Sequence, residues 1–146
     1  MSDFRKLSDQ VLASPQIDTA VIGEAVKQGV TLIVNNRPDG EEAGQVAGAA
    51  IAEAARAAGM EYLAIPIGQA GFGPEAIAAM AAALNKADGK VLAYCRSGTR
   101  STFLWALARA SEGDDPAAIT ESAAAAGYDV APVRPAMEAL AARSAG

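Results

Sequence analysis

Two hydrophobic rhythms take turns along this chain. Short apolar, partly β-branched runs (VTLIVNN at 30–36, MEYLAIPI at 60–67, KVLAYC at 90–95) read as strands. Between and after them come longer stretches with a helical period: DTAVIGEAVKQG, QVAGAAIAEAARAAG, PEAIAAMAAALNKA, TRSTFLWALARA, GDDPAAITESAAAAG and APVRPAMEALAARSA. The punctuation agrees with this division. Asp18 or Thr19 and Asp115 are placed as helix caps, Pro74 and Pro116 as first-turn residues, and Gly29, Gly59 and Gly127 as exits. The opening FRKLSDQVLAS offers two short strands around a polar turn. Leu104, Trp105 and Leu107 form a stripe that should face a core, and the alanine runs are good helix formers.

Strands separated by helices of this length predict an α/β fold with a mostly parallel central sheet flanked by helices. With no linker and no fixed-period repeat, residues 1–146 read as one domain. In an open parallel sheet, ligands bind beyond the carboxyl ends of the strands. Three loops begin at such ends: RPDGEE after Asn36, GQAGFG after Ile67 and CRSGTR after Tyr94. They can share one crevice.

Composition narrows the possible chemistry. Hydrophobic residues are 51% and charged residues 20%, enough apolar content for a packed core. A net charge of −5 without a basic cluster argues against nucleic acid. No apolar run approaches the roughly 20 residues that span a bilayer, and MSDFRKLSDQ has no signal-like apolar segment. With a single cysteine, this suits a reducing cytoplasm, and no membrane partner is expected. Oligomeric state is left open. Acidic residues show no ligand spacing, so no metal or organic cofactor is expected. There are no histidines, which excludes Ser–His and Cys–His catalysis and His-based zinc sites.

The candidate chemistry lies in VLAYCRSGTRS, residues 91–101. Cys95 stands at a strand end, and a helix begins a few residues later. The first-turn N–H groups of that helix should favour an anion and hold the sulfur as a thiolate. Gly98 permits backbone angles that a Cβ resists, and successive amides of the tight loop can form an anion nest. Arg100 brings a planar fork of donors for an oxyanion. Ser97, Thr99 and Ser101 can donate to the sulfur or the bound group. Arg96 is free to point outward or reach the substrate. RPDG has the composition of a turn; a functional alternative places Arg37 and Asp39 at the rim of the Cys95 crevice. GQAGFG lacks a dinucleotide fingerprint and reads as a rim, with Phe72 covering substrate or simply packing.

Cys95, four residues, Arg100 and then Ser101 resemble the active-site loop of rhodanese-type sulfurtransferases, whose cysteine carries a persulfide. Cysteine-dependent phosphatases have five intervening residues. The shorter ring of amides suits a terminal sulfur better than a tetrahedral phosphoryl group. Over nearly the full length, FRKLSDQVLASPQI, NNRPDGEE and YCRSGTRS resemble the phosphatase-like domain family named after the beta-lactamase hydrolase-like protein, whose members are described both as phosphatases and as sulfurtransferases. That resemblance implies the fold of dual-specificity cysteine phosphatases. Two departures matter. Tyr94 stands where those enzymes usually have His, and GQAGFG lacks their Asp general acid, a group worth roughly 10²–10⁴-fold. Asp39 or Glu41 could substitute if RPDGEE reaches the site.

The expectation is therefore a Cys95-dependent enzyme for a small anionic substrate. Transfer of sulfane sulfur through a Cys95 persulfide is the leading chemistry, from thiosulfate or a persulfide donor. Phosphatase action through a phosphocysteine on aryl or protein phosphates is the alternative. A non-catalytic oxyanion-binding module is the third.

Overall fold

The computed structural model describes residues 3–145. Its centre is a five-stranded sheet: β1 (Arg5–Lys6), β2 (Val11–Ser14), β3 (Val30–Asn35), β4 (Glu61–Ala64) and β5 (Lys90–Tyr94), in the order β1-β2-β5-β3-β4. Only β1 runs antiparallel, against β2; the other three pairings are parallel. The helices are α1 (Ile22–Lys27), α2 (Gly48–Ala57), α3 (Pro74–Lys86), α4 (Thr99–Ser111), α5 (Pro116–Ala125) and α6 (Arg134–Ala145). Short 3-10 turns at Thr19–Val21 and Ala131–Val133 lead into α1 and α6.

Both faces of the sheet are covered, which explains the near-continuous apolar strands. Successive side chains point to opposite faces. Val11, Ala13, Leu32, Val34, Val91 and Ala93 meet Met80 and Leu84 of α3, Leu104 and Leu107 of α4, and Met137 of α6. Leu12, Ile33, Leu92 and Tyr94 meet Ile22 and Ala25 of α1 and Ile51 and Ala55 of α2. Helix α4 is the central one, buried from Ser101 to Ala110 on several sides, with Leu104, Trp105 and Leu107 in the core as expected.

The element bounds differ from the sequence reading where backbone chemistry intervenes. β4 ends at Ala64 rather than Ile67, because Pro66 has no N–H for the ladder. The chain nevertheless stays beside β3, since Ile65 and Ile67 donate to the Asn35 and Asn36 carbonyls at 2.9 Å. α2 begins at Gly48, three residues later than its apolar pattern suggests, where a cap is supplied from outside the helix.

β3 and β5 are adjacent, with Asn35 opposite Tyr94 at their carboxyl ends. The Asn36 N–H donates to the Tyr94 carbonyl at 2.8 Å, so RPDGEE and CRSGTR leave the sheet side by side. This adjacency positions the site.

Candidate active site

Cys95 follows the last residue of β5, and its N–H donates to the Ser14 carbonyl of β2 at 3.3 Å. It has no exposed surface, yet it belongs to neither apolar cluster. The Gly98 N–H donates to Cys95 Sγ at 3.1 Å.

The loop is oriented by what holds its carbonyls. The Arg96 carbonyl accepts from the Gln16 N–H at 3.2 Å, and the Ser97 carbonyl from the Tyr128 hydroxyl at 3.2 Å. The Gly98 carbonyl accepts from both the N–H (2.9 Å) and the Oγ1 (2.8 Å) of Thr102. In a trans peptide the N–H points opposite its carbonyl, and the described residues contain no cis bond. With the carbonyls tied outward, the Ser97 and Gly98 N–H groups turn toward the sulfur side. Gly98 sits at φ +89°, a left-handed conformation that suits glycine. It is also the N-cap residue of α4.

Arg100, in the first turn of α4, is held by the two other loops. Its Nη1 donates to Glu41 Oε2 (2.7 Å) and to the Ile67 carbonyl (2.8 Å), and its Nη2 donates to Glu41 Oε1 (2.9 Å). A guanidinium has five N–H donors. These bonds use both Nη1 hydrogens and one on Nη2. The Nε–H and the second Nη2–H lie along one edge, and among the described residues no oxygen or nitrogen accepts from them. Arg100 is strengthened as a cation by its hydrogen bond to Glu41, which outweighs the effect of burial.

RPDGEE does reach the site, through Glu41. Beneath it lies Arg37, almost fully buried, whose Nε donates to Glu41 (2.9 Å), Nη2 to Glu42 (2.8 Å) and Nη1 to Gln16 Oε1 (3.0 Å). Hydrogen bonding to Arg100, with Arg37 adding, lowers the Glu41 carboxyl from the ordinary 4.5 to about 2. Burial opposes this and is outweighed. Such a group is ionised at neutral pH and has no proton to give. Because the folded-state value is the lower one, the stabilisation is present above pH 4.5 and is lost as pH falls through about 2. The stability advantage of the native protein over Glu41→Gln is therefore expected to be constant at neutral pH and to shrink in acid. Denaturant unfolding across that range measures it; an advantage independent of pH would contradict this assignment.

The remaining expected site residues fall into place as follows. Asp39 accepts the Gly48 N–H at 2.8 Å and so caps α2 from nine residues away. Arg37 is a scaffold beneath the loop: it is almost fully buried, and each of its three nitrogens donates to Glu41, Glu42 or Gln16. The Ser101 hydroxyl donates to Asn36 Oδ1 at 2.8 Å, in full burial, and not to the sulfur. Ser97 Oγ donates to Thr99 Oγ1 at 3.0 Å. Arg96 points outward, 3.7 Å from Glu42 and largely exposed. Phe72 packs on Phe103, with ring centroids 6.1 Å apart.

Sequence reasoning missed Asn36 and Tyr128. Asn36 is fully buried and touches three elements: its N–H reaches the Tyr94 carbonyl, its Nδ2 the Ile65 carbonyl (3.0 Å), and its Oδ1 the Ser101 hydroxyl. An asparagine pair ending a β-branched run was the available signal. Tyr128 offered none beyond its place after the exit glycine.

Residues 3–113 match the family described as beta-lactamase hydrolase-like protein, phosphatase-like domain. A beta-lactamase hydrolase-like protein of Xylella fastidiosa (strain Temecula1) is 34% identical over 107 residues, 73% of this chain and 25% of that protein. One of Agrobacterium fabrum is 41% identical over 86 residues, covering 59% and 20%. The chain thus spans a quarter or less of the length of these curated relatives. Among solved structures, a candidate phosphatase of Neisseria meningitidis Z2491 superposes with a TM-score of 0.83 at 30% identity, covering 96% of this chain and 99% of that one. Pseudomonas aeruginosa TpbA, in a cysteine-to-serine form bound to phosphotyrosine, shares the fold (TM-score 0.67, 17% identity, 99% and 91% covered). Strand order, the cysteine at the end of β5 and these matches converge: the chain belongs to the phosphatase-like domain family of the beta-lactamase hydrolase-like proteins, with the fold of cysteine-dependent phosphatases.

Proposed function

We propose that the chain is a cysteine-dependent phosphatase for phosphomonoesters with good, aryl-type leaving groups. The observation that carries this is the open Nε–Nη2 edge of Arg100, beside a sulfur that already receives the Gly98 N–H. Family membership and fold support phosphoryl transfer ahead of sulfur transfer. Phosphoryl oxygens would bind the loop amides and that edge. The Cys95 thiolate would attack phosphorus, forming an S–P bond as the P–O bond to the leaving group breaks. Water would then hydrolyse the phosphocysteine, releasing phosphate and restoring the thiolate. Charge growing on the equatorial oxygens is met by donors that are already oriented.

The restriction to aryl esters follows from the acids. Glu41 is held ionised, and Asp39 is engaged at the start of α2. A phenolate, whose conjugate acid has a pKa of about 10, leaves without much help; an alkoxide does not. Across a series of aryl and alkyl phosphates, turnover should rise steeply as the leaving group becomes more acidic. Alkyl esters should lag by roughly 10²–10⁴-fold, the usual worth of a general acid. Alkyl turnover matching aryl turnover, or aryl turnover that survives in Cys95→Ser, would refute the reading.

One observation favours a second reading. Only four residues separate Cys95 from Arg100, one fewer than in cysteine phosphatases. Sulfur transfer needs no proton donor: Cys95 would take the outer sulfur of thiosulfate, the S–S bond of the donor would break, and sulfite would leave. An acceptor thiol would then remove that sulfur. Intact mass after thiosulfate treatment distinguishes the two: one added sulfur, absent in Cys95→Ser, selects it.

A further inference from the structure

Tyr128 lies beyond the span that matches the family, yet it touches the nucleophile loop. Local structure aims it there. At the end of α5 the Gly127 N–H donates to the Ala124 carbonyl (3.0 Å) and the Tyr128 N–H to the Ala123 carbonyl (2.9 Å), with Gly127 at φ +94°. This is the Schellman arrangement, and it reverses the chain so that the next side chain folds back over the helix end. The ring is covered on one side by Arg5, whose Cζ sits 5.3 Å from its centroid. Burial raises the Tyr128 phenol above its ordinary value, so the hydroxyl keeps its proton and acts as a donor.

Two independent observations place that phenol against the loop. Its hydroxyl donates to the Ser97 carbonyl at 3.2 Å. A Cβ on Gly98 would collide with Tyr128 Oη and lie 2.9 Å from Cζ, so the phenol occupies the space a side chain would need. The Ser97 carbonyl and the Gly98 N–H belong to one peptide unit. The carbonyl end is held by Tyr128 and the N–H end meets Cys95 Sγ at 3.1 Å. Were this peptide to turn over, it would present a carbonyl oxygen, not a donor, to the sulfur and to any anion beside it.

We propose that Tyr128 is a positioning residue for the nucleophile: its hydroxyl and ring together keep the Ser97–Gly98 peptide turned with N–H toward Cys95. The proposal rests on Cys95 serving as the nucleophile, whichever group it transfers. Other ties hold the neighbouring peptides, Gln16 on Arg96 and Thr102 on Gly98, but among the described residues only Tyr128 is bonded to this carbonyl.

The test uses the fact that Cys95 is the only thiol in the chain. Iodoacetate is an anion of the kind the nest should welcome, and iodoacetamide is its neutral analogue. The ratio of their alkylation rates reads the donors around the sulfur without requiring turnover. In Tyr128→Phe the ring and its packing remain and only the hydroxyl is lost. That ratio is expected to fall about 3- to 10-fold, the worth of roughly one hydrogen bond, with the melting temperature nearly unchanged. In Tyr128→Ala, where the space over Gly98 is also opened, the ratio should fall further. If the ratio in Tyr128→Phe equals that of the native protein, the proposal is overturned, whether or not the melting temperature has dropped. If the native protein turns over no aryl phosphate, the phosphatase reading fails while the alkylation ratio still decides this one.

Discussion

Cys95→Ser should lose turnover by about 10⁴- to 10⁶-fold, the usual cost of removing a nucleophile, while keeping its affinity for phosphate. Serine offers an oxygen in nearly the same place. Its hydroxyl needs a base to become a nucleophile, and a chain without histidine has none of the usual kind to offer. The donors survive the change, because the loop carbonyls are held by Gln16, Tyr128 and Thr102 and Arg100 is held by Glu41 and the Ile67 carbonyl. None of these contacts involves the sulfur. Steady-state kinetics with an aryl phosphate, alongside calorimetric titration with inorganic phosphate, separates the two effects. If affinity falls together with turnover, the sulfur was helping to build the cradle. If turnover does not fall, Cys95 is not the nucleophile; if the native protein binds phosphate but turns over no ester, the chain is an oxyanion-binding module whose thiol does no chemistry.

Gly98→Ala should have the next largest effect, for a different reason. A left-handed conformation costs an alanine about 1–2 kcal/mol, and here its methyl would also collide with the Tyr128 hydroxyl and sit 3.3 Å from the Ser14 carbonyl carbon. Either the tyrosine or the loop has to yield. If the loop yields, the 97–98 peptide rotates and the N–H facing the sulfur is lost. Removing one preorganised donor of this type typically costs about 10²–10³-fold in kcat. The strain should also lower the melting temperature by roughly 4–8 °C. Kinetics and thermal denaturation measure the two effects. A fully active Gly98→Ala enzyme would mean that the loop amide is not part of the anion site.

Much of this arrangement was readable before any coordinates. The sheet with helices on both faces follows from strands such as VTLIVNN and KVLAYC, whose unbroken apolar character makes sense only when both faces are covered. The meeting of the three loops was an expectation, and Arg100 joins them: it starts on the β5 loop, takes Glu41 from the β3 loop, and ends on the Ile67 carbonyl after β4. The candidate anion loop could be named because its residues are consecutive.

What was hidden is carried by side chains that meet across long stretches of sequence. Nothing in RPDGEE says that Asp39 will cap a helix nine residues on and leave Glu41 as the residue that orients Arg100. Nothing near Ser101 says that its proton goes to Asn36, 65 residues earlier. Tyr128 looks like any aromatic residue after a helix. Its role depends on where α5 ends relative to the loop, which is a property of packing and not of local pattern. The short loop, which favoured sulfur chemistry on its spacing alone, sits in a frame shared with phosphatases.

The solitary thiol has one more consequence. An oxidant that slips past the covering loops to Cys95 would leave a sulfenic acid, and these 146 residues hold no second thiol to condense with it. Recovery would fall to an outside reductant, and without one each such hit moves the molecule toward irreversible sulfinic and sulfonic forms. The cover over the sulfur thus doubles as a defence against peroxide.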